Sequence, residues 1–178
     1  NYGYSTLGLL SQMGFYLVGE RVTNLFQDLS FNLAFHSKDG KRTTTVFGLG
    51  GLSEEHYMPV EPAEKRIVGK ADNWEDRVRP ANMGALGVTH TANLSEKSSI
   101  KYVVAVIGSG IKRNSDTLNL QDVRFRYDTQ QYDEFRLAAT AAYNYKFDAK
   151  TRLKAGLIAN HIQFSFFKET APRASVTD

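Results

Sequence analysis

Residues 25–53, LFQDLSFNLAFHSKDGKRTTTVFGLGGLS, constrain the fold more than any other part of the chain. In the first half, Leu29, Phe31, Leu33 and Phe35 alternate with Asp28, Ser30, Asn32 and His36. A strand places successive side chains on opposite faces, so a strict period of two makes one face apolar and the other polar. The turn 37–41 holds an Asp-Gly pair, which tolerates the positive φ of a tight hairpin. The return strand is rich in Thr and Gly and carries Phe47 and Leu49 on one face. Such a hairpin must bury its apolar face in a protein core or in lipid.

The rest of the chain repeats the pattern. A strand is expected over residues 1–10, then a connection over 11–22 with a short extended piece at 15–18. Leu86, Val88, Ala92 and Leu94 share a face in a strand over 83–94. A second strand, rich in Val and Ile, covers 100–111. Residues 135–147 alternate again, with Leu137, Ala139, Ala141, Tyr143, Tyr145 and Phe147 set against Arg136, Thr140, Asn144 and Lys146. Residues 152–167 return, with Ile158, Ile162, Phe164 and Phe166 on one side. Short polar turns at 37–41, 95–98 and 148–151 alternate with long polar stretches at 54–82 and 112–134, the second with some alternating character at VRFRYDT, 123–129, that could extend the strands. Outer-membrane barrels sort their loops in this way, short on one side and long on the other. The strands also exceed the ~5–6 residues common in globular domains. Aromatic residues gather near the strand ends, as interface girdles do.

Composition excludes several classes. The apolar fraction is 42% of 178 residues, and a barrel wall with one polar face averages out to the same value as a soluble domain. A net charge of +3 with scattered basic residues gives no footprint for nucleic acid. There is no cysteine, hence no disulfide framework, Cys-based zinc site or thiol nucleophile. The chain opens at Asn1 with no signal-like segment, as a mature form or an excised piece would. No apolar run reaches the ~18 residues of a transmembrane helix, whereas a membrane strand needs only ~9–11.

Several strings resemble TonB-dependent outer-membrane receptors, in particular the subgroup with a carboxypeptidase-regulatory-like N-terminal domain. They are YSTLGLL at 4–10, GE at 19–20, QDLSFNLAF at 27–35 and VFGLGGLS at 46–53, with the Asp-Gly turn between the last two. GALGVTH at 84–90 and YNYKFDAKTRLKAGLI at 143–158 fit wall strands of the same family. The resemblance covers most of the chain and thins in the two long polar stretches. It implies a barrel of about 22 strands closed by a plug domain, with energy supplied by the inner-membrane TonB complex. Residues 1–178 would form a single segment of the barrel, without the plug and without a TonB-contacting segment.

The expectation is therefore an all-β, antiparallel up-and-down meander forming part of a large transmembrane β-barrel. It would be a non-enzymatic wall segment that helps bind and import a substrate across the outer membrane of a Gram-negative cell. Lipid would meet Leu29, Phe31, Leu33, Phe35, Phe47, Leu49, Leu137, Ala139, Ala141 and Tyr143. The lumen would meet Asp28, Ser30, Asn32, Arg136, Thr140, Asn144 and Lys146. Tyr57, Trp74 and Tyr127 are candidate ligand contacts, since loops carry recognition. Expected partners are outer-membrane lipid, the receptor's own plug and TonB through other parts of the protein, a surface lipoprotein, and a substrate the sequence does not name. No nucleic acid and no cofactor is expected.

Other chemistry lacks local support. GLGG at 48–51 and GSG at 108–110 sit inside strand patterns with no helix behind them, so they fail the context of a phosphate loop. His36, His56, His90 and His161 are dispersed and show no metal-ligand spacing. The acidic residues of 54–82 lack the repeated Asp/Asn pattern of a calcium loop. Two alternatives stay open. A soluble all-β ligand-binding module would turn its apolar faces toward each other. An outer-membrane barrel enzyme would bring His90 together with Ser109 or Asn160.

Overall fold

The computed structural model of the protein describes residues 1–4, 10, 13 and 21–172. They form one antiparallel sheet of seven strands in sequence order. The strands are β1 (Tyr2–Tyr4), β2 (Val22–His36), β3 (Arg42–Tyr57), β4 (Glu75–Asn93), β5 (Ser98–Leu118), β6 (Arg124–Lys146) and β7 (Arg152–Thr170). The all-β, up-and-down meander expected from the alternating pattern is thus present. Of the strand expected over residues 1–10, Tyr2–Tyr4 is described. Its continuation and the extended piece expected at 15–18 lie outside the described residues.

The short turns are closed by their own side chains. In the first, the Ser37 hydroxyl donates to the Asp39 carboxylate, and the Lys41 amide donates to the same oxygen at 3.1 Å. Gly40 takes φ +64°, which costs a glycine nothing. In the last turn, the Lys150 and Thr151 amides both donate to Asp148 Oδ1 at 2.7 Å. These bonds favour the ionised carboxylates. Asp39, bonded by Ser37 and then Lys41, and Asp148, bonded by Lys150 and Thr151, both sit below the ordinary Asp value.

The strands run well past the expected boundaries. β3 continues to Tyr57 and β4 begins at Glu75, so the polar stretch expected over 54–82 shrinks to a loop at 58–74. The second expected loop, 112–134, is mostly strand. β5 and β6 contain 21 and 23 residues and are joined by a link at 119–123. Cross-strand charge explains the difference. Glu55 faces Arg79 and Asp116 faces Arg126 as direct partners, and Arg113 Nη2 reaches Asp128 Oδ2 at 2.7 Å. Opposite charges across a ladder support a strand that has no apolar face to announce it.

No second layer covers the sheet among the described residues. Trp74, Ala105 and Leu118 are the only buried hydrophobic residues among them. Each of β2 to β6 pairs with both sequence neighbours, while β7 has one partner and every one of its residues is exposed.

The Asp148 turn yields a pH prediction. Because the folded carboxyl titrates below its unfolded value of ~3.9, its contribution is complete above that value and is lost as pH falls through the folded pKa. Hydrogen-exchange protection of the Lys150 and Thr151 amides should drop on that acidification in the native chain. It should show no such step in Asp148→Asn.

Candidate membrane-facing surface

Directly paired residues of an antiparallel ladder place their side chains on the same face, so the register sorts every strand residue into one of two surfaces. One surface contains the row Leu29, Gly50, Gly84, Gly108, Phe135, Gln163 and the row Phe31, Gly48, Leu86, Val106, Leu137, His161. It continues through Leu33, Val46, Val88, Val104, Ala139, Ala159 and then Phe35, Thr44, His90, Tyr102, Ala141, Leu157. No Asp, Glu, Lys or Arg occurs in these four rows. On β5 and β6 the band extends one row further, to Ile100 and Tyr143. Toward the 58–74 loop it ends abruptly, because the next row brings Gln27, Asn82 and Asp133.

The opposite surface is mixed. Its rows include Asp28, Gly51, Met83, Ser109, Glu134 and Phe164, then Ser30, Leu49, Ala85, Ile107, Arg136 and Ile162. Asn32, Thr140, Asn144 and Lys146 lie here too. The seven residues grouped from sequence as polar-facing therefore share one surface. Eight of the ten grouped as apolar share the other, namely Leu29, Phe31, Leu33, Phe35, Leu137, Ala139, Ala141 and Tyr143.

Phe47 and Leu49 are the correction. They pair with Asn32 and Ser30 and stand on the mixed surface. The cause is Gly48 and Gly50, which occupy the apolar-surface positions of β3 and give no hydropathy signal. The Phe31 ring lies over Gly48, 2.4 Å from where a Cβ would sit, and the Phe47 ring covers Gly87 in the same way on the other side. β7 shows a similar inversion. Ile158, Ile162, Phe164 and Phe166 share a face, as expected, but it is the mixed one, where Phe166 lies 4.6 Å from the Tyr132 ring between centroids.

At the long-loop end, the candidate ligand contacts are engaged internally. Trp74 is 1% exposed, donates from Nε1 to the Ile67 carbonyl at 3.1 Å and lies beneath the Arg66 guanidinium. It is a small loop core with no face left for a ligand. Arg66 bonds the Val60 carbonyl and pairs with Glu61 and Asp122, tying the loop to the 119–123 link. Tyr57 and Tyr127 belong to strands. The Tyr57 ring is flanked by Arg21 and Arg77, and the Tyr127 hydroxyl donates to Glu75 Oε1 at 2.6 Å. The sequence offered no signal for this network, whose partners lie up to 56 positions apart.

The histidines stay separate. His90 meets Thr44, His36 meets Thr43, and His56 Nε2 contacts Asp76 Oδ1 at 2.7 Å. His90 lies on the apolar surface, whereas Ser109 and Asn160 lie on the mixed one, so the fold does not bring that enzymatic constellation together. No group of three potential metal ligands converges among the described residues. Among the described residues, no helix is long and apolar enough to cross a membrane, which says nothing of crossing by strands. No family model, curated protein or solved structure matches this chain.

Removing the loop core should release residues 58–74. Trp74→Ala should cost ~3–5 kcal/mol locally, seen as faster proteolytic cleavage within that loop while the sheet resists.

Proposed function

We propose that this chain is a wall segment of a TonB-dependent outer-membrane receptor that binds and imports a substrate. The observation that carries the membrane part is the charge-free apolar band. On β6 it runs from Phe135 to Tyr143, a span of nine residues, and a tilted strand needs ~9–11 to cross a bilayer. Within a bilayer core every backbone polar group must be bonded within the protein, which an antiparallel sheet does on all but its edges. Among the described residues β7 and most of β2 are edges, and on this reading further strands pair there to continue the barrel.

The receptor part rests on the sequence strings given above. On that reading the mixed surface faces the lumen, where Asp28, Ser30, Asn32, Arg136, Thr140, Asn144 and Lys146 meet the plug or the passing substrate. Energy comes from TonB through other parts of the receptor, and a surface lipoprotein is a further candidate partner. Strands longer than the band carry the ion-paired ends of β4, β5 and β6 out of the membrane on the side opposite the short turns.

Expression of the full-length receptor in a Gram-negative host tests this. It should fractionate with the outer membrane and migrate differently in unboiled and boiled gel samples. A soluble product with no mobility shift contradicts the proposal. The two surfaces should also respond differently to charge. Phe31→Arg should cost ~2–4 kcal/mol at mid-membrane depth and reduce the shifted species, while Leu49→Arg, on the mixed surface, should assemble normally.

A further inference from the structure

Charge is unevenly divided along the strands. Segments 37–42, 96–101 and 146–154, at the short-turn end, hold nine Lys and Arg against three Asp and Glu. Two of the three acids, Asp39 and Asp148, are committed to turn hydrogen bonds. None of the ion pairs among the described residues involves a cation of these segments. The register then assigns a surface to the strand residues. Thr43, Thr91, Lys101, Ala142 and Gly156 share one row, followed by Asn93, Ser99, Asn144 and Lys154, and then by Lys146 with Arg152. These rows belong to the mixed surface and contain no Asp or Glu.

The backbone holds neighbouring turns side by side. The Asn93 amide donates to the Lys41 carbonyl at 2.8 Å, and the Lys146 amide donates to the Lys97 carbonyl at 2.7 Å. A cup of about 920 Å³ lies there, with Lys41, Lys97, Lys146 and Arg152 in its lining. Glu96 is the one carboxylate that lines it, so the cup holds four cations against one acid. Asn93, Asn144 and Ser99 add neutral donors. The strand residues of the lining belong to the mixed surface, Ser98 and Tyr145 excepted.

We propose that this cup binds solutes carrying linked phosphate groups at the short-turn mouth of the lumen. The inference rests on the lumenal reading of the mixed surface and adds a substrate class to it. The volume lies within the roughly 300–1,000 Å³ of small-molecule sites. Each ammonium offers three donors and the guanidinium a fork that meets two phosphate oxygens at once. A concave wall lined by one sign of charge also concentrates the opposite ion. The cations come from different strands and turns, and neighbouring strands lie about 4.8 Å apart. Linked phosphates therefore meet more of them than a single phosphate does.

The test is titration calorimetry of the full-length protein in nonionic detergent, with tripolyphosphate as the probe. The native protein should bind it saturably. Lys146→Gln/Arg152→Gln should weaken binding at least roughly tenfold, the worth of one hydrogen bond to a charged group. Lys38→Gln/Lys150→Gln removes the same charge from turn positions outside the cup and should leave the affinity unchanged. If the first variant loses its heat-dependent mobility shift, Lys41→Gln/Lys97→Gln takes its place with the same expected loss. No saturable binding, or full affinity in the cup variants, overturns the inference. Equal losses in the cup and turn variants mark diffuse surface charge and overturn it too. Tighter binding of citrate than of tripolyphosphate overturns phosphate as the recognised group, and equal binding of orthophosphate overturns the need for linked groups. Outer-membrane location without binding overturns the inference alone. A soluble product that still binds through Lys146 and Arg152 overturns the membrane reading and supports the cup as an anion site.

Discussion

The structure depends on the lateral hydrogen-bond ladder between consecutive strands. In most domains of this size a packed interior shares the work, but here the described residues bury almost no apolar side chains. Each of the strands β2 to β6 gives its backbone bonds to a neighbour on either side, and the register of those bonds decides which surface every side chain meets. A slip of one residue would move the whole apolar set to the mixed surface. The short turns resist such slips because Asp39 and Asp148 fix their geometry with side-chain acceptors.

From the register follow two unlike surfaces. The apolar one is free of charge over four successive rows of the sheet, and it has no protein partner among the described residues. The mixed one combines Asp28, Glu134 and Arg136 with Phe47, Leu49 and Ile107. Aromatic side chains lie flat over glycines on both surfaces, Phe31 over Gly48 and Phe47 over Gly87. Charge then separates along the strands. Paired ions stabilise the long ends at β4, β5 and β6, and the short turns carry cations that form no ion pair among the described residues.

The alternating face of β2 was legible in the sequence because Leu and Phe occupy consecutive odd positions with polar residues between. The same logic failed on β3, where Gly48 and Gly50 hold the apolar-surface positions and leave Phe47 and Leu49 as the visible signal on the wrong side. Glycine has no side chain to weigh, so only the pairing partner reveals its face. The ends of β5 and β6 were legible only in the alternation at 123–129, for a related reason. Their residues are charged, and a ladder of ion pairs such as Asp116 with Arg126 gives strand support that hydropathy does not register. Trp74 read as a candidate ligand contact because it falls in a long polar stretch taken as a loop, and loops carry recognition. Its burial comes from contacts with Ile67 and Arg66 that only the folded loop brings together.

The central claim is that the charge-free surface lies in lipid and the mixed surface does not. The chain has no cysteine of its own, so a spin label can be placed at one position at a time along β2 and β3 of the protein reconstituted in vesicles, after any cysteine elsewhere is replaced. Collisions with oxygen, which concentrates in lipid, should peak at positions 29, 31, 33 and 35 and at 44, 46, 48 and 50. They should fall at 30, 32 and 34 and at 45, 47 and 49. Flat profiles, or a β3 profile with its maxima at 47 and 49, would contradict the account.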